Sequence, residues 1–153
     1  RQRRDRTRWT LVQGVLAPLQ FLVFAVSLVL VLRALWTGEG YALAAASVVL
    51  KTALLYLIMV TGAIWEKVVF GRYLFAPAFF WEDVVSMAVL ALHSAYLWAL
   101  ATAVLEPRGQ LLLALVAYLA YVVNATQFVL KLRAARRGES AGSGLPVTME
   151  LVK

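Results

Sequence analysis

Three carboxylates (Glu66, Glu82, Asp83), two cations (Lys67, Arg72) and seven aromatic residues share the stretch Gly62 to Met87, GAIWEKVVFGRYLFAPAFFWEDVVSM. Carboxyls set against Trp65, Phe79, Phe80 and Trp81 lose part of their water, and a partly dried carboxyl is a usable general acid. Two such groups in different surroundings are what acid/base work needs. Ordinary structural roles suit the same residues. Glu82 and Asp83 fit a helix start, where negative charge meets the helix dipole, and Glu66 could simply pair with Lys67 or Arg72. The stretch is longer and more aromatic than most connections. It reads as the rim and floor of a ligand site at a membrane surface.

Two further groups stand inside apolar runs: Lys51 and the lone histidine, His93. Ionisable groups inside a bilayer are costly and face the bundle interior or a wet cavity. Lys51 is read either as a structural partner of a backbone carbonyl or of a polar residue such as Gln20 or Asn124, or as a ligand-binding or proton-transfer group. Glu82, Ser86 and His93 return to one helix face. That histidine suits a satisfied bundle residue, an axial ligand of a Mg-pigment, or an acid/base group. Tyr118, Tyr121, Asn124 and Gln127 form another polar face, and Lys51, Asn124 and Gln127 are assigned to the polar wall of the ligand site.

The frame that must position these groups follows from composition. The chain has 153 residues, 63% hydrophobic and 15% charged, with a mean hydropathy of +0.80. So few charges cannot cover a water-facing surface, so lipid is the solvent. Cysteine is absent, which excludes disulfides, thiolate metal sites and Cys nucleophiles. With one His, no zinc site is expected, and no phosphate loop, HExxH or GxSxG motif is present. The net charge of +7 is not a nucleic-acid signal, because the basic residues flank apolar spans.

Four apolar segments follow one another, near 9–35, 41–65, 81–105 and 110–132. Each is long enough for the ~20 residues that cross a bilayer. The first is too long for a signal peptide, although Ala42-Leu43-Ala44-Ala45 resembles a cleavage site. Gln13, Gln20 and Ser27, spaced by seven, predict a seam facing the bundle. Tight turns at Thr37–Gly40 and Glu106–Gly109 make successive helices antiparallel. Twelve of the fifteen Lys and Arg lie in the termini and the 62–87 connection, which places those parts in the cytoplasm by the positive-inside rule. The expected fold is an all-α integral membrane protein: a four-transmembrane-helix antiparallel bundle with an aromatic-acidic cytoplasmic connection between helices 2 and 3. Its parts are a basic cytoplasmic start at 1–8, the transmembrane domain at 9–137, and a flexible tail at 138–153. Because residue 1 is Arg, an initiator Met and a few residues are expected before it.

The string IMVTGAIWEKVVFGRYLFAPAFFWEDVVSM resembles the signature of the 3-vinyl (bacterio)chlorophyllide hydratases, small membrane enzymes of bacteriochlorophyll synthesis. The likeness extends through WTLVQGVLAPLQFLVF at 9–24, LKTALLYLIMVTG at 50–62 and ALHSAYLWAL at 91–100. It implies water addition across the ring-A vinyl group, giving a 1-hydroxyethyl substituent, in a bacterial inner (photosynthetic) membrane. No catalytic residues come with the resemblance. The residues themselves nominate Glu82, Glu66, Asp83 and His93 for catalysis. Trp65, Phe79, Phe80 and Trp81 would stack on the macrocycle, and Lys67 or Arg72 would hold its propionate. No redox cofactor or added metal is expected, since the substrate carries its own Mg, with His93 a candidate axial ligand. Expected partners are the pigment, the bilayer and neighbouring pigment-biosynthesis enzymes, with a homo-oligomer also allowed. The rival class is a non-enzymatic pigment-binding or assembly subunit that holds a (bacterio)chlorophyll through His93. A structural membrane adaptor is the third.

Overall fold

The computed structural model describes residues 8–143, with side chains through 138. Four helices carry the chain: α1 Arg8–Thr37, α2 Tyr41–Phe70, α3 Phe80–Thr102 and α4 Pro107–Ser143, with a 3-10 turn at Pro77–Phe79 before α3. All four are long and apolar enough to cross a membrane, and no strand occurs among the described residues. The predicted four-helix membrane fold is therefore the observed one. Consecutive helices form two antiparallel hairpins, α1–α2 and α3–α4, which meet chiefly where α1 lies against α4.

The hairpins cannot be held by apolar burial alone, because lipid tails are as apolar as leucine. Small side chains let the backbones approach instead. Ala34, Ala44 and Ala45 are buried in the first hairpin, and Ala99, Ala114 and Ala117 in the second, while many Leu and Val side chains face outward. The polar seam of α1 faces the bundle as its spacing predicts. Gln13 donates to Thr61 Oγ1 at 2.6 Å; Gln20 accepts from Lys51; Ser27 shares hydrogen bonds with Ser47 and Tyr118. At the first of these contacts, a Cβ on Gly62 would meet Gln13 Oε1 at 3.3 Å.

Several boundaries differ from the sequence reading. Helix α2 runs on past Trp65 through the apolar Val68-Val69-Phe70 and stops at Gly71, whose φ of 81° closes the C-terminus with an N–H···O bond to Lys67. The stretch 62–87 is therefore mostly helical. Only Gly71–Ala76 and the 3-10 turn join α2 to α3; Glu82 and Asp83 start a helix, as the sequence suggested, and Glu66 lies near the end of α2. At the far end α3 stops at Thr102, with Ala103 in the left-handed region, short of the expected Leu105. Helix α4 continues beyond Leu132 to Ser143, so the first residues of the expected tail are helical. The basic start over 1–7 and the tail beyond 143 lie outside the described residues.

Candidate functional site

The carboxylates come from facing helix ends. Glu66 lies one turn before the end of α2, and Glu82 and Asp83 lie in the first turn of α3. All three are buried, at 4%, 9% and 6% exposure. Burial of ionisable groups demands partners, and the three find different ones. The Glu66 and Asp83 carboxyls interact directly across the helix pair. Asp83 Oδ2 also accepts the Phe75 N–H at 2.9 Å. That bond holds Phe75 at a φ of 60°, an unfavourable backbone conformation for a bulky side chain. Glu82 Oε2 pairs with Lys131 Nζ at 3.1 Å. Glu66 Oε2 is buried and has no partner besides the Asp83 carboxyl. Two carboxyls in contact share a proton, so the pair can give one and take one.

Aromatic rings dry this site. Trp65, Phe70 and Phe79 meet edge to face with centroids 5.7 Å apart for each pair, and Phe128 of α4 stacks on Phe79 at 5.9 Å. Trp65 is fixed by its indole N–H, which donates to Thr10 Oγ1 at 2.8 Å. Phe80 and Trp81 pack on each other but point outward, at 43% and 69% exposure, towards lipid or a flat ligand. On the α4 side, Asn124 donates to the Glu82 carbonyl at 2.9 Å and to Gln127 Oε1 at 3.3 Å, and accepts from Ser86 at 3.0 Å. Lys67 is exposed and donates to the Gly71 carbonyl, with its ammonium 5.5 Å from the Tyr73 ring. Arg72 is exposed in the connection.

Lys51 and His93 occupy a second, deeper layer, and both are fully buried. His93 Nδ1 lies 2.8 Å from the Val89 carbonyl; a carbonyl only accepts, so Nδ1 carries the proton and Nε2 is the acceptor. Lys51 Nζ is 3.3 Å from that Nε2 and 3.1 Å from Gln20 Oε1, and it sits 3.4 Å above the Tyr121 ring centroid. Of the two side-chain partners foreseen for Lys51, Gln20 takes the role and Asn124 does not. Both His93 nitrogens thus have partners inside the bundle. The eleven residues from Glu82 to His93 correspond to about 16 Å along α3. The carboxylates, Asn124, Gln127, Trp65 and Phe79 therefore form one cluster near a membrane surface, and Lys51 with His93 forms another.

Lys131 joins the first cluster, although in the sequence it counted only among the basic residues flanking the apolar spans. Its spacing was informative: four residues after Gln127 and seven after Asn124, it lies on the same face of α4. Tyr118, whose ring lies 5.8 Å from that of His93, likewise closes the deep layer.

Taken together these features define an α-helical protein with four helices long and apolar enough to cross a membrane and a buried carboxyl cluster at one end of the bundle. The profile of the 2-vinyl bacteriochlorophyllide hydratase family matches residues 1–134, and the chain belongs to that family. A curated relative from Cereibacter sphaeroides, named 2-vinyl bacteriochlorophyllide hydratase, is 72% identical over 137 residues, which are 89% of this chain and 84% of the relative. One of the same name from Rhodobacter capsulatus is 65% identical over 147 residues, covering 94% and 85% of the two chains. No solved structure matches the chain.

Proposed function

We propose that this protein adds water across the ring-A vinyl group of a (bacterio)chlorophyllide (numbered 2 in the relatives' names and 3 above), giving a 1-hydroxyethyl group. The observation that carries the reading is the buried carboxyl pair Glu66–Asp83, at a bundle end where Trp65 packs on Phe79. The family's name points to the same reaction.

Glu66 serves as the acid and Asp83 as the base. A carboxyl proton goes to the terminal vinyl carbon, and the positive charge forms on the carbon joined to the macrocycle, which delocalises it. Water bonds to that carbon and gives its proton to the partner carboxylate. The net change is the gain of one water, and the pair ends with the protons it began with. No electrons are transferred, so the step draws on no redox cofactor, and the Mg belongs to the substrate. Asp83 is held for this role by the Phe75 N–H. Glu82 serves to orient Lys131. The macrocycle, flat and apolar, enters from the bilayer and lies against the aromatic residues Trp65, Phe79, Phe80 and Trp81.

The excess of Lys and Arg in the termini and the 62–87 connection supports a cytoplasmic side for both termini and the carboxyl cluster, in a photosynthetic bacterial membrane. There pigment would be handed over by a neighbouring enzyme of the same synthesis. The pigment-binding alternative is less well supported, because His93 Nε2 faces Lys51 within the bundle. Incubating the purified protein in detergent with 3-vinyl bacteriochlorophyllide tests the proposal. The expected product is heavier by one water, and its long-wavelength band is displaced as conjugation is lost. Bound pigment that never gains water refutes it.

A further inference from the structure

Lys131 contacts the carboxyl cluster as a cation, and its environment differs from that of the other cations at this surface. The Lys67 ammonium is tied to the Gly71 carbonyl on its own helix end, and Arg72 stands in the exposed connection. Lys131 reaches inward from α4. Its Nζ is 3.1 Å from Glu82 Oε2 and 5.2 Å from the centroid of the Phe79 ring. Its side chain is 37% exposed, against 11% for Glu82, so one flank is fixed by the ion pair and another stays open. An ammonium has three donors, and Glu82 takes one direction. The Phe79 ring centroid is 5.2 Å from Lys131 Nζ and 5.7 Å from that of Trp65, the chain neighbour of Glu66. The open donor of Lys131 stands at the same end of the bundle as the carboxyl pair and is joined to it through Glu82, the chain neighbour of Asp83.

We infer that Lys131 is a specificity-determining residue which binds the free carboxylate of the substrate, so that the protein selects the pigment acid over its ester. The inference rests on the hydratase reading. A carboxylate completes the hydrogen bonding of Lys131 by a charge-assisted bond. An ester offers only a neutral acceptor and leaves the ammonium incompletely paired. Glu82 holds Lys131 in position and is not itself the carboxylate receptor, because two carboxylates do not hydrogen-bond each other without a proton.

The test uses 3-vinyl bacteriochlorophyllide and its propionate methyl ester, with both binding (absorption titration) and hydration measured on the purified full chain in detergent. The unaltered protein is expected to bind the acid roughly tenfold or more tightly than the ester. Lys131→Gln is expected to weaken acid binding to the level of the ester, and Lys131→Arg to restore part of the preference. Because the single variant leaves the buried Glu82 without its cation, a second variant guards against unfolding; Glu82→Gln/Lys131→Gln removes both charges and should show the same loss of preference. Arg108→Gln, at the opposite end of the bundle, should keep it. Equal binding of acid and ester by the unaltered protein overturns the inference. So does a preference that survives both Lys131→Gln and the double variant, or that is lost in Lys67→Gln or Arg72→Gln instead. Binding and turnover separate the two levels: an acid preference without any hydration would refute the hydratase reading while upholding the role of Lys131.

Discussion

Replacing Glu66 by Gln keeps the size and planarity of the side chain but removes its exchangeable acid proton. In the folded protein the side chain is 4% exposed, interacts with Asp83 and has one oxygen without any other partner. The substitution therefore breaks no ion pair, and it replaces a contact between two acids by one between an amide and a carboxylate. Stability should hold or rise, by up to about 1 kcal/mol, the size of an ordinary net hydrogen bond. Turnover should behave otherwise. Loss of a general acid typically slows a reaction by ~10²–10⁴, which is about 3–5 kcal/mol of barrier. Glu66→Gln is thus expected to keep its thermal midpoint, bind vinyl pigment and form hydroxyethyl product at least a hundredfold more slowly. Asp83→Asn should do much the same, since its amide oxygen can still accept the Phe75 N–H. The double variant should be little slower than the worse single one, because groups that act as a unit are not additive. The assay pairs product formation, followed by absorption and mass, with thermal unfolding of the same sample. Near-normal hydration by Glu66→Gln and Asp83→Asn would refute the reasoning and move the chemistry to the deeper layer.

Three other outcomes are expected. Single cysteines placed at Gly38 and Arg72 should be labelled from opposite sides of the membrane; labelling of both from one side would be incompatible with the antiparallel bundle. His93→Phe keeps a ring in the core but removes the acceptor for Lys51, so pigment binding should survive while stability falls by about 1–3 kcal/mol. Weakened pigment binding restored by added imidazole would instead make His93 a Mg ligand. Lys51→Met strips donors from Gln20 Oε1 and His93 Nε2 and should lower the unfolding midpoint. Adding Gln20→Leu should recover part of the loss, because removing both members of a buried polar pair costs less than removing one. A double variant less stable than the single would contradict that account.

The amino-acid sequence alone determined the number of helices, their antiparallel order and which faces turn inward. Those depend on local and statistical properties: apolar runs long enough for a bilayer, Gly-containing turns, and polar residues at helical spacing such as Gln13, Gln20 and Ser27. Lipid solvent makes that logic strict, since a polar side chain has few places to go except the interior. The aromatic-acidic string from 62 to 87 likewise marked the place of the site without its shape. Tertiary structure decided what each polar residue meets. Lys51 could have reached Gln20 or Asn124, which lie on different helices at different depths; only the packing of α1 against α2 selects Gln20. The cluster at Glu66 joins residues of α2, α3 and α4 through the Asp83 contact and the Lys131–Glu82 pair, contacts up to 49 residues apart in the chain. Periodicity orders residues along one helix but is silent on the rotation and offset between helices. That is why Lys131 counted only among the basic residues flanking the apolar spans until the bundle set it against Glu82 and Phe79.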